Sequence, residues 1–112
     1  MAQRLTKAMR LRSRREFVAV QTTGTKVSTK HFLALVAPNP GGAGRVGLTV
    51  TKKIGNAVTR NRLKRLMREW LRRNGWVAPG VDVVIIAKDG AARLRALDDV
   101  GPDLMRIQRA VS

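Results

Sequence analysis

The spacing of apolar residues along the chain predicts three strands and three helices. Runs rich in strand-forming residues cover 31–37, 45–51 and 81–87, and the last run is apolar on both faces, as a central or parallel strand would be. Helical periodicity predicts three helices. The first covers about 13–23, the second lies between an Asn56 cap and an Asn74-Gly75 stop, and the third runs from Asp98 onward. The resulting order, α-β-β-α-β-α, indicates one sheet packed by helices, in the α+β or mixed α/β class.

The segment 38–44, PNPGGAG, is rich in turn residues and separates the first two strand runs. It therefore predicts that these two runs form a β-hairpin. Residues 42–47, GAGRVG, match the dinucleotide-binding fingerprint letter for letter, but that fingerprint requires a helix directly after it. Because a strand-like run follows here, we assign the glycines to turns.

The middle helix divides into an apolar and a basic side. Its apolar residues follow the i, i+3, i+4, i+7, i+8 spacing and are Leu63, Leu66, Met67, Trp70 and Leu71. With ~100° between successive residues, the opposite side collects Asn61, Lys64, Arg65, Arg68 and Arg72, with Arg60 and Arg62 on its flanks. The sequence thus predicts that one side is buried and the other presents cations.

The basic side lies in one of two strongly charged segments. The chain has 112 residues and a formal net charge of +16, but residues 82–112 carry five bases and five acids. Residues 45–76 carry ten bases and one acid, and residues 1–16 carry six and one. Like charges four residues apart, such as Arg60 and Lys64, destabilise a helix by a few tenths of a kcal/mol. This pattern indicates a polyanionic partner rather than a merely solvated face.

Residue types that carry catalysis or bind metal are scarce. The absence of cysteine excludes disulfides and thiolate metal sites, and His31 is the only histidine. Asp98 and Asp99 form the only adjacent acidic pair in residues 82–112, and they suit helix capping better than acid–base catalysis. We therefore predict no catalytic residues and no metal site in the chain itself.

The length predicts a single domain over residues 1–112, with residues 1–12 as a flexible basic arm. No apolar run approaches the ~20 residues of a membrane span, and the N-terminus lacks the apolar core of a signal peptide. We therefore expect a cytoplasmic location and no membrane partner. Nothing in the sequence indicates an obligatory protein partner.

Residues 52–69, KKIGNAVTRNRLKRLMRE, closely resemble the signature of the bacterial ribonuclease P protein subunit. The resemblance rests on Lys52-Lys53, Gly55-Asn56-Ala57-Val58, Arg60-Asn61-Arg62, Leu63-Lys64-Arg65 and Arg68-Glu69. It extends to Phe17 and Gly24 in the first helix and to the strands at 45–48 and 82–88. The resemblance implies an α-β-β-β-α-β-α order and a mixed four-stranded sheet. It also implies a left-handed β-α-β crossover around the basic helix and an extra short strand near 25–28.

The resemblance also implies a function. The family's protein joins a catalytic RNA, and together they remove the 5′ leader from precursor tRNA with Mg²⁺ that the RNA subunit and substrate bind. The implied partners are therefore the catalytic RNA and precursor tRNA, with no catalytic residue supplied by the protein. The implied RNA-binding residues are Lys52, Lys53, Asn56, Arg60, Asn61, Arg62, Lys64, Arg65 and Arg68.

A cleft between the first helix and the sheet would hold the single-stranded leader. The resemblance places Phe17 and Phe32 on its walls and Lys52, Lys53 and Lys88 near its rim. Many relatives have further aromatic residues where this chain has Gln21 and Leu35, so fewer rings are available here to stack on bases. Two other functions fit the charge pattern: a structural protein that binds ribosomal RNA and a general RNA chaperone.

Overall fold

The computed structural model describes residues 14–39, 44–74 and 80–111. Its elements are α1 (Arg14–Thr23), β1 (Thr25–Ser28), β2 (Phe32–Pro38), β3 (Arg45–Thr49), α2 (Ala57–Asn74), β4 (Val81–Ala87) and α3 (Leu97–Val111). Short 3₁₀ segments follow β3 at Lys52–Ile54 and β4 at Asp89–Arg93. The described ranges therefore have the α-β-β-β-α-β-α order that the resemblance implies, including the short strand at 25–28. The predicted basic arm at 1–12 lies outside them.

The four strands form one mixed sheet in the order β1-β2-β4-β3. β2 pairs antiparallel with both β1 and β4, whereas β3 runs parallel to β4. The β-hairpin predicted for the two strands around 38–44 is therefore wrong, because β4 lies between them. Ile85 of β4 pairs with Ala34 on one side and Leu48 on the other. A turn-rich loop shows that the chain reverses, but it cannot show that a distant, wholly apolar strand takes the position between its neighbours.

Helix α2 connects β3 to β4, two parallel neighbours in the sheet. The basic helix is therefore the crossover of a β-α-β unit, as the resemblance implies. The left-handed sense of this crossover stays a prediction. At the start of α2, the Oδ1 atom of Asn56 accepts a hydrogen bond from the Thr59 N–H at 2.9 Å, which confirms the predicted cap. The helix ends at Asn74, as predicted, and Gly75 lies outside the described residues.

The larger core lies between one face of the sheet and the helices α2 and α3. Its fully buried large side chains include Phe32, Leu63, Met67, Leu71, Val83, Ile85, Leu104 and Ile107. Helices α2 and α3 approach each other closely at Gly101, where an added Cβ would lie 3.1 Å from the indole nitrogen of Trp70. The apolar side of α2 that the sequence predicts is thus the side that covers the sheet.

The start of α3 differs in detail from the prediction. The helix begins at Leu97, one residue before the predicted start, so Asp98 and Asp99 lie inside its first turn. Asp99 nevertheless closes the helix end, because its Oδ2 atom accepts from the backbone N–H groups of Arg95 and Ala96 at 2.8 and 3.0 Å. These two hydrogen bonds lower the pKa of Asp99.

The other face of the sheet carries α1 and a smaller apolar cluster. Val20 of α1 packs with Leu35, Ala37 and Val84, and the half-buried Ile86 extends the cluster. Successive side chains in a strand alternate between faces, so Leu33 and Leu35 point toward the α1 side while Phe32 and Ala34 point toward α2 and α3. On this face Leu35 and Val84 are buried, whereas Leu33 and Ile86 are half-buried.

The close approach of α1 to β2 predicts that Gly24 does not tolerate a side chain. A Cβ at this position would lie 2.5 Å from the Val20 carbonyl oxygen and 3.1 Å from the Val36 backbone nitrogen. Gly24→Ala should therefore cost about 1–3 kcal/mol of unfolding free energy, since backbone atoms must move to admit the methyl group. Gly90→Ala is the control, because its Cβ would meet only a His31 ring carbon at 3.6 Å. Equal midpoints of urea denaturation for the two variants would contradict this account.

Candidate nucleic-acid interface

Helix α2 has the two sides that its sequence predicts. Leu63, Met67, Trp70 and Leu71 are buried, and Leu66 is half-buried against the same core. The opposite side, which we name the basic face, consists of Asn61, Lys64, Arg65 and Arg68. Asn61, Arg65 and Arg68 are exposed, and Lys64 is half-buried. The core therefore uses only the apolar side and leaves the basic face available for a partner.

The cations of the basic face form no ion pair within the described part of the chain. The ion pairs found there join His31 to Asp103, Arg45 to Asp82, and Glu69 to two arginines that follow it. None of them includes Lys64, Arg65 or Arg68. Because the like charges are not neutralised internally, the basic face presents a positive field to solvent.

The flanking arginines, Arg60 and Arg62, are half-buried. Their Nε–H groups are buried and have no hydrogen-bond partner among the described residues. Arg62 also directs its Nη2 atom toward the Ala92 carbonyl oxygen at 3.4 Å, a long contact that ties α2 to the 3₁₀ segment after β4. The two guanidinium groups thus retain donors that the protein itself does not satisfy.

Beyond Arg68 the helix changes character at Glu69. The Glu69 carboxylate accepts from Arg72 Nε at 3.2 Å and from Arg73 Nε at 2.9 Å, and a further contact joins it to Arg72 Nη2. The hydrogen bonds from Arg72 and then Arg73 lower the pKa of Glu69 from 4.5 to about 2. The last cations of α2 therefore have an acidic partner, in contrast to those of the basic face.

Four lysines gather at one end of the sheet. β3 and β4 are parallel and end there, and β2, which is antiparallel to β4, begins there, so Phe32 pairs with Ala87. We name this region the lysine end, defined by Lys30, Lys52, Lys53 and Lys88. Asn56 and the start of α2 follow directly after Lys52–Ile54. The predicted leader-rim lysines and the predicted RNA-binding helix thus adjoin one another.

Lys88 has a definite position at the lysine end. Its Nζ atom donates to the Ser28 hydroxyl and to the Thr29 carbonyl oxygen, both at 2.6 Å. These contacts tie the end of β4 to the end of β1, two strands away in the sheet. An ammonium group has three donors, so Lys88 keeps one for a ligand.

The predicted leader cleft requires one correction. Phe32 is 0% exposed and lies in the larger core, on the face of the sheet that α2 and α3 cover. It cannot line a cleft beside α1, because its side chain points to the opposite face. Leu33 and Ile86 are half-buried residues that point to the α1 side near the lysine end. The side chains of Phe17 and Gln21 lie outside what the structure describes, and Leu35 is buried beneath α1.

A second concavity lies between α1 and the opposite end of the sheet. It has a volume of about 310 Å³ and is lined by Arg15, Ala19, Val20, Ala37, Pro38, Arg45 and Asp82. Asp82 is buried and accepts from Arg45 Nε and Nη2 at 3.1 and 2.8 Å, and from Asn39 Nδ2 at 3.1 Å. The ion pair between Arg45 and Asp82 therefore holds the starts of β3 and β4 together.

The acidic side chains of the described ranges are dispersed. No group of three or more His, Cys, Asp or Glu residues in these ranges could hold a metal ion. His31 Nδ1 contacts Asp103 Oδ2 at 2.9 Å, and the His31 backbone N–H donates to the same oxygen at 2.8 Å. His31 therefore links the start of β2 to α3. Within the same ranges, none of the helices combines the length and apolar character needed to cross a bilayer.

Comparison with known proteins decides the family. The family model for ribonuclease P matches residues 5–98. The ribonuclease P protein component of Citrifermentans bemidjiense is 47% identical over 85 residues, which cover 76% of this chain and 73% of that protein. The corresponding component of Syntrophus aciditrophicus is 44% identical over 95 residues, covering 84% and 80%. The chain belongs to the ribonuclease P protein family.

Solved structures of this family have the same fold. The ribonuclease P protein of Staphylococcus aureus superposes with a TM-score of 0.83 at 27% identity, covering 95% of this chain and 97% of that one. The protein from Thermotoga maritima gives a TM-score of 0.81 at 31% identity, covering 92% and 97%. The mixed four-stranded sheet with three helices is therefore the fold of the family.

Membership in the ribonuclease P protein family also gives the general function. The chain is the protein component of the ribonuclease P endoribonuclease, which matures the 5′ end of tRNA. Its role accordingly involves the ribonuclease P RNA subunit and precursor tRNA. The assignment of RNA contacts to particular residues stays a prediction.

The structure adds residues that the sequence did not single out. Lys30 joins the lysine end because β2 begins beside the end of β4, and Ser28 and Thr29 hold the Lys88 ammonium. Ser28 and Thr29 lie 60 and 59 positions from Lys88 along the chain. No local pattern signals such a contact, and only the pairing of β2 with β4 could have revealed it.

The ion pairs at the end of α2 predict an unusual titration for Glu69. Because its folded-state pKa lies below the ordinary value, the stability that these pairs contribute is present above about pH 4.5 and is lost as the pH falls toward about 2. A carboxyl titration followed by NMR should give a Glu69 midpoint near 2. Arg72→Ala, which removes the larger cause, should raise that midpoint toward 4.5. A wild-type midpoint already near 4.5 would show that the ion pairs do not persist in solution.

Proposed function

We propose that the basic face of α2 binds the catalytic RNA of ribonuclease P and that the lysine end receives the 5′ leader of precursor tRNA. The observation that carries this proposal is the set of cations on α2 with no acidic partner in the described chain. Arginine forks match phosphate oxygens, and an asparagine amide can both donate and accept at a ribose or base edge. Arg65, Arg68 and Asn61 are exposed and suited to these contacts.

Arg60 and Arg62 support the same surface from its flanks. Each retains a buried Nε–H donor with no partner among the described residues. An unsatisfied buried donor costs free energy, and a rotation of the side chain that brought this donor to a phosphate oxygen would remove that cost. Lys52 and Lys53, exposed in the 3₁₀ segment before α2, extend the positive surface to the lysine end. Asn56 caps the helix through its side-chain oxygen, and its exposed amide nitrogen is the part of the side chain that would donate to RNA.

For the leader, the described residues leave a half-buried strip of the sheet on the α1 side. Leu33 and Ile86 give this strip a half-buried apolar surface, and Lys88 with Lys52 and Lys53 supplies cations at its end. A single strand needs both features, since bases contact apolar surface and phosphates contact cations. Phe17 stays a predicted member of this cleft on the resemblance alone.

We also propose that the Mg²⁺ ions of the reaction are held by the RNA subunit and the substrate. Four of the described acids support this proposal through the partners they already have: Glu69, Asp82 and Asp103 form ion pairs, and Asp99 caps α3. A cytoplasmic location is proposed with it. Family membership favours this function over the two alternatives, a structural ribosomal-RNA-binding protein and a general RNA chaperone.

Replacing a cation of the basic face should weaken RNA binding without loosening the fold. Arg68→Ala and Arg65→Ala remove exposed side chains, so each should lower affinity for the catalytic RNA and flatten its salt dependence by roughly 0.7–0.9 in log–log slope per lost phosphate contact. Filter-binding titrations across a salt series measure both quantities. Thermal melting should stay close to wild type, because no core atom is removed.

Leu63→Ala is the matched control on the opposite side of α2. Leu63 is 1% exposed, so its truncation should cost about 2–5 kcal/mol of unfolding free energy through a core cavity. Under conditions where it remains folded, its salt slope for RNA should equal that of the wild type. If Arg68→Ala melted as early as Leu63→Ala, the division of α2 into a core side and an RNA side would be wrong.

A leader site at the lysine end predicts a dependence of affinity on leader length. The assembled complex should bind precursor tRNA more tightly than mature tRNA, and the gain should grow over the first few leader nucleotides and then stop. Each phosphate held by a lysine adds roughly 0.7 to the salt slope for a single strand. Lys52→Ala should reduce the gain from leader length while leaving the affinity for mature tRNA unchanged.

The control variant is Arg109→Ala, an exposed cation in the last turn of α3 on the other face of the sheet. It removes the same charge and should leave the leader-length dependence intact. The measurement is the affinity of the complex for substrates with zero to about eight leader nucleotides. This range matches the number of nucleotides that a single-strand-binding site typically covers. An affinity independent of leader length in the wild type would show that the leader does not bind at the lysine end.

A further inference from the structure

Glu69 is the single acidic residue of α2, and it directly follows the last residue of the basic face. Its carboxylate holds Arg72, three residues on, and Arg73, four residues on, by the hydrogen bonds described above. Arg65 and Arg68 lie within the preceding turn and have no acidic partner among the described residues. The helix therefore carries two kinds of arginine, with Glu69 at the boundary between them.

The geometry of Arg72 shows what Glu69 takes away from a ligand. Arg72 directs its Nε and Nη2 donors at Glu69, which is the paired-donor edge that a guanidinium otherwise offers to a phosphate. Arg73 also directs its Nε donor to Glu69 Oε1. A phosphate approaching either arginine would meet a carboxylate that is ionised at neutral pH and that repels it.

We propose that Glu69 is a positioning residue that ends the RNA-binding surface of α2 at Arg68 and so increases the preference for the catalytic RNA over other RNAs. It acts by holding Arg72 and Arg73 away from phosphate. This inference rests on the proposed role of the basic face in binding the catalytic RNA. It assigns a specificity role to an acid that does not itself contact RNA.

The physical reason lies in the size of the positive charge. Phosphate contacts raise affinity for any RNA, because they carry no sequence information. A chain of net charge +16 already attracts every polyanion, so two further free arginines at the end of α2 would strengthen binding to unrelated RNA at least as much as to the right one. Specificity is a difference of affinities, and an acid that weakens the wrong complexes increases it.

A purely structural role makes a different prediction. Glu–Arg pairs at i, i+3 and i, i+4 stabilise a helix slightly, and less so when they are exposed to solvent. If that were the whole role of Glu69, its replacement would lower the melting temperature slightly and leave the choice between RNAs unchanged. RNA selectivity therefore separates the two roles, whereas stability does not.

The experiment compares the full chain with its Glu69→Gln variant on two RNAs: the catalytic RNA and an unrelated structured RNA of equal length. Dissociation constants are measured over a salt series. For the unrelated RNA, the variant should steepen the log–log salt slope by roughly one to two, as one or two arginines reach phosphates at about 0.9 each. That change corresponds to roughly five- to thirtyfold tighter binding at about 0.15 M salt. The affinity for the catalytic RNA should rise less, so the ratio of the two affinities falls.

Two control variants make the test specific. Adding Arg72→Gln and Arg73→Gln to Glu69→Gln should restore the wild-type slope and ratio, because the released cations are then absent. Asp98→Asn adds the same unit of charge at an exposed acid of α3 that forms no ion pair with a described arginine, so it should leave the salt slope unchanged. If Asp98→Asn matched Glu69→Gln, net charge alone would explain the effect and the proposal would be overturned.

Other outcomes also decide the question. An unchanged slope and ratio in Glu69→Gln would refute the proposal, and so would weaker binding to both RNAs, which would mean that Glu69 presents the arginines to RNA. Failure of the underlying function looks different, since the wild type would then show no preference for the catalytic RNA and Arg68→Ala would have no effect on binding.

Discussion

The pairing of β4 with two neighbours at once is the constraint on which the rest of the structure depends. β4 is antiparallel to β2 and parallel to β3, and Val83, Val84 and Ile85 are fully buried between the helices on the two faces. A strand of this kind cannot lie at an edge without exposing apolar surface. Its central position forces α2 to cross the sheet between β3 and β4, and this crossing brings the apolar side of α2 over the larger core.

The same pairing also assembles the candidate interface. Parallel strands end at the same side of a sheet, so Lys52, Lys53 and Lys88 come together although they lie in separate parts of the sequence. The antiparallel partner β2 adds Lys30 at its own beginning. Because α2 starts from this end, the basic face lies next to these lysines along the chain. The catalytic RNA and the leader would then meet on adjoining surfaces of a small protein.

The cations of this protein fall into two groups, those held in ion pairs and those that form none among the described residues. Asp82 pairs with Arg45, and Glu69 pairs with Arg72 and Arg73, whereas the cations of the basic face form no ion pair in the described ranges. Surface ion pairs contribute little stability, so their placement matters more for the field that a ligand meets than for the fold. The net charge does not show which cations are paired. An approaching RNA nevertheless responds to the unpaired ones.

The sequence by itself determined the local elements and the chemical character of α2. Helical periodicity separated Leu63 and Met67 from Arg65 and Arg68, and Asn56 marked the start of the helix, because spacing and capping act within one or two turns. The long signature around residues 52–69 identified the family, which supplied the short strand at 25–28. That strand has one apolar residue in four, too few for a periodic pattern to reveal.

Only the tertiary structure decided the strand order, the face to which Phe32 points and the partners of Lys88. The loop at 38–44 favoured a hairpin because turn chemistry is local, but the burial of β4 outweighed it over a much longer separation in sequence. The orientation of Phe32 has the same cause. Phe32 pairs with Ala87 of β4, so both side chains point to the face that α2 and α3 cover. Contacts between distant segments are set by which apolar surfaces can cover each other, and that is a property of the assembled sheet and helices.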